Sequence, residues 1–226
     1  MSESLLIPVW PPKPTAEPDF LHCGLDAFHL KENWFSHDRR GIHGIGHAAR
    51  VLVWATFLAD WMIEKEQHVD LDVVRCAAVL HDVRRICDGR DPDHGRRCGR
   101  WIMNESPAFR HLDEARRSLV AYCCEWHVPP DIEAPAMPLE LVCLKDADAL
   151  DRVRFEGLDA RFLRTAMARA IVGQARFLWS ISEASRQRKE DPWAAVRTTA
   201  MKMGLWNRNR TISCEALRER LSYFRC

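Results

Sequence analysis

Residues 48–65 read AARVLVWATFLADWMIEK, and this stretch decides the fold class. Leu52, Ala55, Phe57, Leu58, Trp61 and Met62 spread apolar side chains around most of a helix. Such coverage is expected of a helix buried on nearly all sides. Gly41, Gly44 and Gly46 lead into it. A second helix is predicted over about 70–83, carrying Leu71, Val74, Ala77, Ala78 and Leu80, ending on His81-Asp82 and capped by Asp70 or Asp72. The next segment, ICDGRDPDHG at 86–95, has Asp-Gly and Asp-Pro-Asp turn signals. Further helices are expected from His94, with Asp93 as its cap, to about Glu105, over about 108–126 before Pro129-Pro130, and over about 138–150. The remainder reads as helices near 158–185, 192–204 and 213–224. No stretch alternates as a strand does, so the predicted fold is an all-α helical bundle with short polar connections.

The chain has 226 residues, enough for one domain with a substantial core. Pro8, Pro11, Pro12, Pro14 and Pro18 forbid a stable helix at the start, so residues 1–20 are expected to be an extended arm and 21–226 one helical domain. A net charge of +1 gives no global case for binding nucleic acid or an anionic membrane. The nine cysteines form no CxxC pair, which points to free thiols in a reducing compartment rather than a disulfide framework or zinc ribbon. The start lacks the basic region of a signal peptide, and no apolar run approaches the roughly 20 residues of a membrane span. The expectation is a cytoplasmic protein.

Four segments place possible ligands at helix ends or on one helix face: His43 to Val51, His81 to Arg85, the pair His94 and His127, and Asp146 to Arg154. Imidazole and carboxylate together suit divalent cations such as Mn, Fe, Co, Ni, Zn or Mg. Adjacent helical residues point about 100° apart, so His81 and Asp82 can share an ion only at a helix end or irregularity. The turn signals after Arg85 supply such an end. Arg84, Arg85, Arg90, Arg96, Arg97 and Arg100 crowd the following region. Arginine forks match phosphate oxygens, and Arg85 is the one nearest the His-Asp pair.

The order His47-Ala-Ala-Arg-Val, then Ala78-Val-Leu-His81-Asp82, then Asp146-Ala-Asp148-Ala-Leu-Asp151-Arg152 resembles the HD superfamily of metal-dependent phosphohydrolases over about residues 40–155. The resemblance implies an HD-domain-like bundle with additional C-terminal helices at 158–226. It implies His47, His81, Asp82 and Asp148 as metal ligands, with His94, His127 and His43 as additional candidates and one or two divalent ions as cofactor. It implies hydrolysis of a phosphate ester in a nucleotide-like small molecule by a metal-activated water. Arg85, Asp88, His94, His127, Lys145 and Arg152 are the expected catalytic groups, for proton transfer or phosphate contact. Some members carry a glutamate proton donor four residues after the His of the pair, where this chain has Arg85. A catalytically silent metal- or nucleotide-binding regulatory domain is therefore the alternative, and an iron oxygenase the third. The Trp and Phe residues beyond 158 serve either a pocket roof or a homo-oligomer interface.

Overall fold

The computed structural model describes residues 28, 30–104, 106, 112–155 and 158–205. Among them are eight α-helices and no strand. The arm expected at 1–20 and the helix expected at 213–224 lie outside the described residues.

Helix α1, Ile45–Glu64, is the axis of the bundle. Val51, Leu52, Val53, Trp54 and Ala55 are consecutive and fully buried, which requires neighbours on every side. Those neighbours are α2 (Leu71–Leu80), α5 (Leu139–Asp151) and α8 (Pro192–Lys202). Removing a leucine side chain such as Leu52 or Leu58 from water stabilises the fold by about 2 kcal/mol each. Asp70 caps α2 by accepting the amides of Asp72 and Val73 at 3.1 and 3.2 Å.

Helices α3 (His94–Asn104) and α4 (Glu114–Trp126) form a closely packed pair. A Cβ added at Gly95 would fall inside van der Waals contact of the Cys124 carbonyl, and one at Gly99 would lie 3.0 Å from the Ala121 carbonyl. Glycine at both positions therefore sets the approach of the two helices. The start of α4 is later than the sequence suggests because Asp113 accepts the Arg116 amide at 2.8 Å and so begins the helix there.

The single helix expected over 158–185 is divided into a 3-10 turn at Ala160–Phe162, α6 at Ala166–Ala170 and α7 at Val172–Gln187. The break before α6 has its cause in α5. Both carboxylate oxygens of Asp146 accept backbone amides, from Arg164 and Thr165, at 2.8 Å each. Those amides are thereby withdrawn from a helical ladder, and Thr165 caps the new start at Ala166 by accepting the Ala168 amide. Helix α7 then pairs with α8 and reaches back to α5. No described helix is long and apolar enough to cross a membrane. The described cysteines are free; Cys76, Cys98, Cys123, Cys124 and Cys143 are buried, and burial pushes the thiols of Cys76, Cys123, Cys124 and Cys143 up.

Candidate metal centre

Helix α2 stops at Leu80, and the next residues turn tightly, with the Val83 amide on the Leu80 carbonyl and the Arg85 amide on the Asp82 carbonyl. This irregularity lets neighbouring His81 and Asp82 point into one space. Segment 34–36 clamps it through Ser36 N to Val83 O at 2.9 Å and Arg84 to the Trp34 carbonyl at 3.3 Å. His47 comes from the first turns of α1, His94 from the first residue of α3, His127 from the end of α4 and Asp148 from α5.

The Asp82 carboxylate is the meeting point. Its Oδ2 lies 2.8 Å from Nδ1 of His43, 3.4 Å from Nε2 of His47 and 3.8 Å from Nε2 of His81. Its Oδ1 lies 2.8 Å from Nε2 of His94 and 3.8 Å from Nε2 of His127. Asp148 Oδ1 stands 3.3 Å from His47 Nε2 and 3.9 Å from His81 Nε2. These side chains include three overlapping groups able to hold a metal ion: His43, His47 and Asp82; His47, His81 and Asp148; and His81, Asp82 and His127.

Hydrogen bonding selects which ring nitrogen faces inward. Nδ1 of His47 meets Asp151 Oδ2 at 2.7 Å, and Nδ1 of His81, His94 and His127 meet the carbonyls of Ala78, Asp91 and Cys124 at 2.8, 2.5 and 2.6 Å. A carbonyl accepts only, so Nδ1 carries the proton in those three rings and Nε2 is left as the coordinating atom. The Nε2 atoms face each other in pairs, His47 with His81 at 3.1 Å and His94 with His127 at 3.0 Å. Ligand bonds of about 2.0–2.2 Å put neighbouring donors on one ion about 2.8–3.6 Å apart for angles of about 90–110°. The pair spacings match that range. Asp82 Oδ1 is buried with no hydrogen-bond partner, a costly state for a carboxylate oxygen that a cation would relieve. The donor set therefore fits a divalent cation.

In the protein alone the buried groups of the centre shift in opposite directions. Burial and Arg154 act to lower the pKa of His47, but Asp148, Asp151 and Asp82 outweigh them and raise it to about 9. Burial lowers His81 to about 3 despite the adjacent Asp82. Burial would raise Asp82 and Asp148, yet the histidines around them hold both carboxyls below the ordinary range. Asp82 and Asp148 face the imidazoles, whereas the charge of Asp151 is met by Arg50 and Arg154.

The other expected site groups divide. Arg85 joins the centre, its Nη1 3.6 Å from Asp82 Oδ1 and 3.2 Å from His94 Nδ1, while Nη2 and Nε donate to the carbonyls of Gly89 and Cys87. Its guanidinium thus holds the 87–89 turn against the ligands. Asp88 lies beside Gly41, with Oδ2 3.9 Å from His37. Lys145 donates to the Pro129 carbonyl at 2.6 Å and to Asp131 at 2.8 Å, so its ammonium braces a loop. Arg152 is exposed on the turn after α5.

Sequence reasoning missed Arg50, Asp151 and Arg154 as site groups. Arg50 Nε and Nη2 hold Asp151 at 2.5 and 3.0 Å, and Arg154 Nη1 holds it at 2.9 Å. Arg154 Nη2 lies 3.3 Å from His43. A signal was available: Arg50 and Asp151 each stand three residues after a ligand, on the same helical face. In comparisons with known proteins, no family model, curated protein or solved structure matches the chain.

Proposed function

We propose that this protein is a metal-dependent phosphohydrolase acting on a phosphate ester of a nucleotide-like small molecule. The observation that carries the reading is the pairing of Nε2 atoms on the two oxygens of one buried carboxylate. His47, His81, Asp148 and Asp82 Oδ2 would hold one divalent ion, and His94, His127 and Asp82 Oδ1 a second. Bound there, a divalent ion supplies a water of lowered pKa and neutralises charge on a phosphoryl oxygen.

The chain's own residues set the direction of approach. His47, His81, His94 and His127 are almost wholly buried, whereas the Asp148 side chain is 31% exposed and that of His43 16%. Substrate would enter on the His43–Asp148 side. Burial lowers the pKa of His43 despite its bond to Asp82, which favours the neutral, proton-accepting ring at that edge. Arg85 would add positive charge from the opposite side of Asp82.

The test is hydrolysis of nucleotides and aryl phosphate esters by protein loaded in turn with Mn, Fe, Co, Ni, Zn and Mg. Turnover lost in Asp148→Asn supports the reading; no turnover with any ion and ester sinks it. Arg85, standing where some HD members carry a glutamate, favours a second reading, in which the domain binds a phosphorylated ligand without hydrolysing it. A nucleotide complex that persists unchanged for hours with metal present would select that one.

A further inference from the structure

The last motif carries three aspartates within six residues, and each meets different partners. Asp146 accepts the amides of Arg164 and Thr165. Asp148 faces His47 and His81. Asp151 stands behind His47, where its Oδ2 takes Nδ1 of His47 at 2.7 Å, Arg50 Nη2 at 3.0 Å and Arg154 Nη1 at 2.9 Å, while its Oδ1 takes Arg50 Nε at 2.5 Å.

We infer that Asp151 is the positioning residue of the metal centre: it fixes His47 with the proton on Nδ1 and aims Nε2 at Asp82 and Asp148, while Arg50 and Arg154 hold the carboxylate in place. The inference rests on the metal reading above. Saturation by four donor contacts is the first argument. An ionised carboxylate offers about four lone-pair sites, so little acceptor capacity remains for a cation. Asp151 is also buried, in contrast to the partly exposed Asp148. The second argument is placement. His47, His81, His94 and His127 all have Nδ1 bonded behind them, but of the four only His47 is held by a carboxylate rather than by a carbonyl of its own turn. His47 sits in regular helix, where the carbonyls are engaged by the helical ladder, and so a carboxylate from α5 takes that role. A carboxylate behind a ligating imidazole orients the ring and raises its basicity, and loss of such partners typically weakens metal binding about tenfold to hundredfold.

A purely structural Arg50–Asp151–Arg154 cluster joining α1 to α5 would not need His47. The experiment separates the two. Long-range ¹H–¹⁵N correlation of the histidine rings in metal-free protein, at a pH where the His47 ring carries a single proton and with His47 identified by its loss in His47→Gln, reads the ring state directly. Mn²⁺ titration of the parent, Asp151→Asn and the double variant Arg50→Met/Asp151→Leu reads affinity. The double variant replaces Arg50 and Asp151 with apolar groups of similar size and leaves Arg154 on the Asp151 backbone carbonyl at 3.0 Å, so its folding is checked alongside its affinity. Expected are a proton on Nδ1 of His47 in the parent, affinity near the parent's in Asp151→Asn (whose carbonyl still accepts that proton), and a loss of about tenfold to hundredfold in the double variant. A His47 protonated only on Nε2 in the parent overturns the inference whatever the variants do. Affinity within about twofold of the parent in a folded double variant overturns it as well. A parent with the expected ring state that takes up no Mn²⁺ or other divalent ion would instead refute the metal reading and leave the ring assignment standing.

Discussion

At the scale of single residues, Asp82 and the histidines around it are not equivalent. Both oxygens of Asp82 face histidine pairs, so its removal empties both halves of the centre, whereas His127 serves only the Oδ1 half. Elemental analysis of protein purified without chelator should give about two ions per chain in the parent, about one in His127→Ala and well below one in Asp82→Ala. Equal content in His127→Ala and the parent would remove the two-ion assignment. That His47, His81, Asp82 and Asp148 come together was legible in the sequence, because a His, a His-Asp pair and an Asp in order form a recognisable pattern. The roles of Lys145 and Arg152 were not. Proximity in sequence to Asp148 suggested phosphate contact, but Asp131 and the Pro129 carbonyl engage Lys145, and the 3-10 turn after α5 returns Arg154 rather than Arg152 to the centre. Sequence spacing predicts which face of a helix a residue occupies; it does not predict which acceptor a loop from elsewhere will bring to it.

At the scale of elements, the α3–α4 pair controls whether His94 and His127 meet. Gly95 adjoins His94 and lies against the last turn of α4, with an added Cβ 3.0 Å from the Glu125 carbonyl and 3.2 Å from Val128 Cγ2. Gly95→Ala should force the two helices apart at the site. The expected cost is about 1–3 kcal/mol in denaturant unfolding, together with loss of metal from the Oδ1 half. An alanine variant as stable as the parent would mean that the interface yields without strain. A second element-level device is the Asp131 clasp, which ties the loop before α5 to the loop before α6 through Lys145 and Arg164. Hydrogen bonding to Arg164 lowers the pKa of Asp131 from 3.8 to about 2. A lowered folded-state value means stability that is complete above the unfolded value and is lost as pH falls toward the folded one. The clasp should therefore weaken between about pH 4 and pH 2. Asp131→Asn should flatten that part of an acid-unfolding curve while leaving the curve above pH 5 parallel to the parent's. The exposure of Asp131 keeps the effect small. Helix existence was readable from apolar periodicity throughout the described chain. The break before α6 was not, because it depends on Asp146 capturing two amides about twenty residues away.

At the scale of the whole molecule, α1, α2, α3, α4 and α5 each end or pass at the Asp82 carboxylate. A buried carboxylate with an orphaned oxygen, beside imidazoles facing one another, is a destabilising arrangement in metal-free protein. Ion binding would replace those repulsions and cross-link five helices, so metal and fold should be coupled. An ion at about 100 times its dissociation constant adds about 2.7 kcal/mol when it binds the folded state alone. For a chain of this size each kcal/mol moves the midpoint by roughly 2–4 °C, so metal should raise it by about 5–11 °C over chelator-treated protein. The nine thiols and ten histidines of the unfolded chain bias the result for soft ions, since thiolates that bind Zn²⁺ when unfolded reduce the gain. Mn²⁺, which thiols hold weakly, should therefore show the larger shift relative to its affinity. The control is Asp82→Ala, in which the same titration should move the midpoint by less than about 1 °C. A shift of equal size in that variant would show that the stabilising ion binds elsewhere on the molecule, and a parent unmoved by any divalent ion would mean that the buried histidines and aspartates serve the bundle without metal.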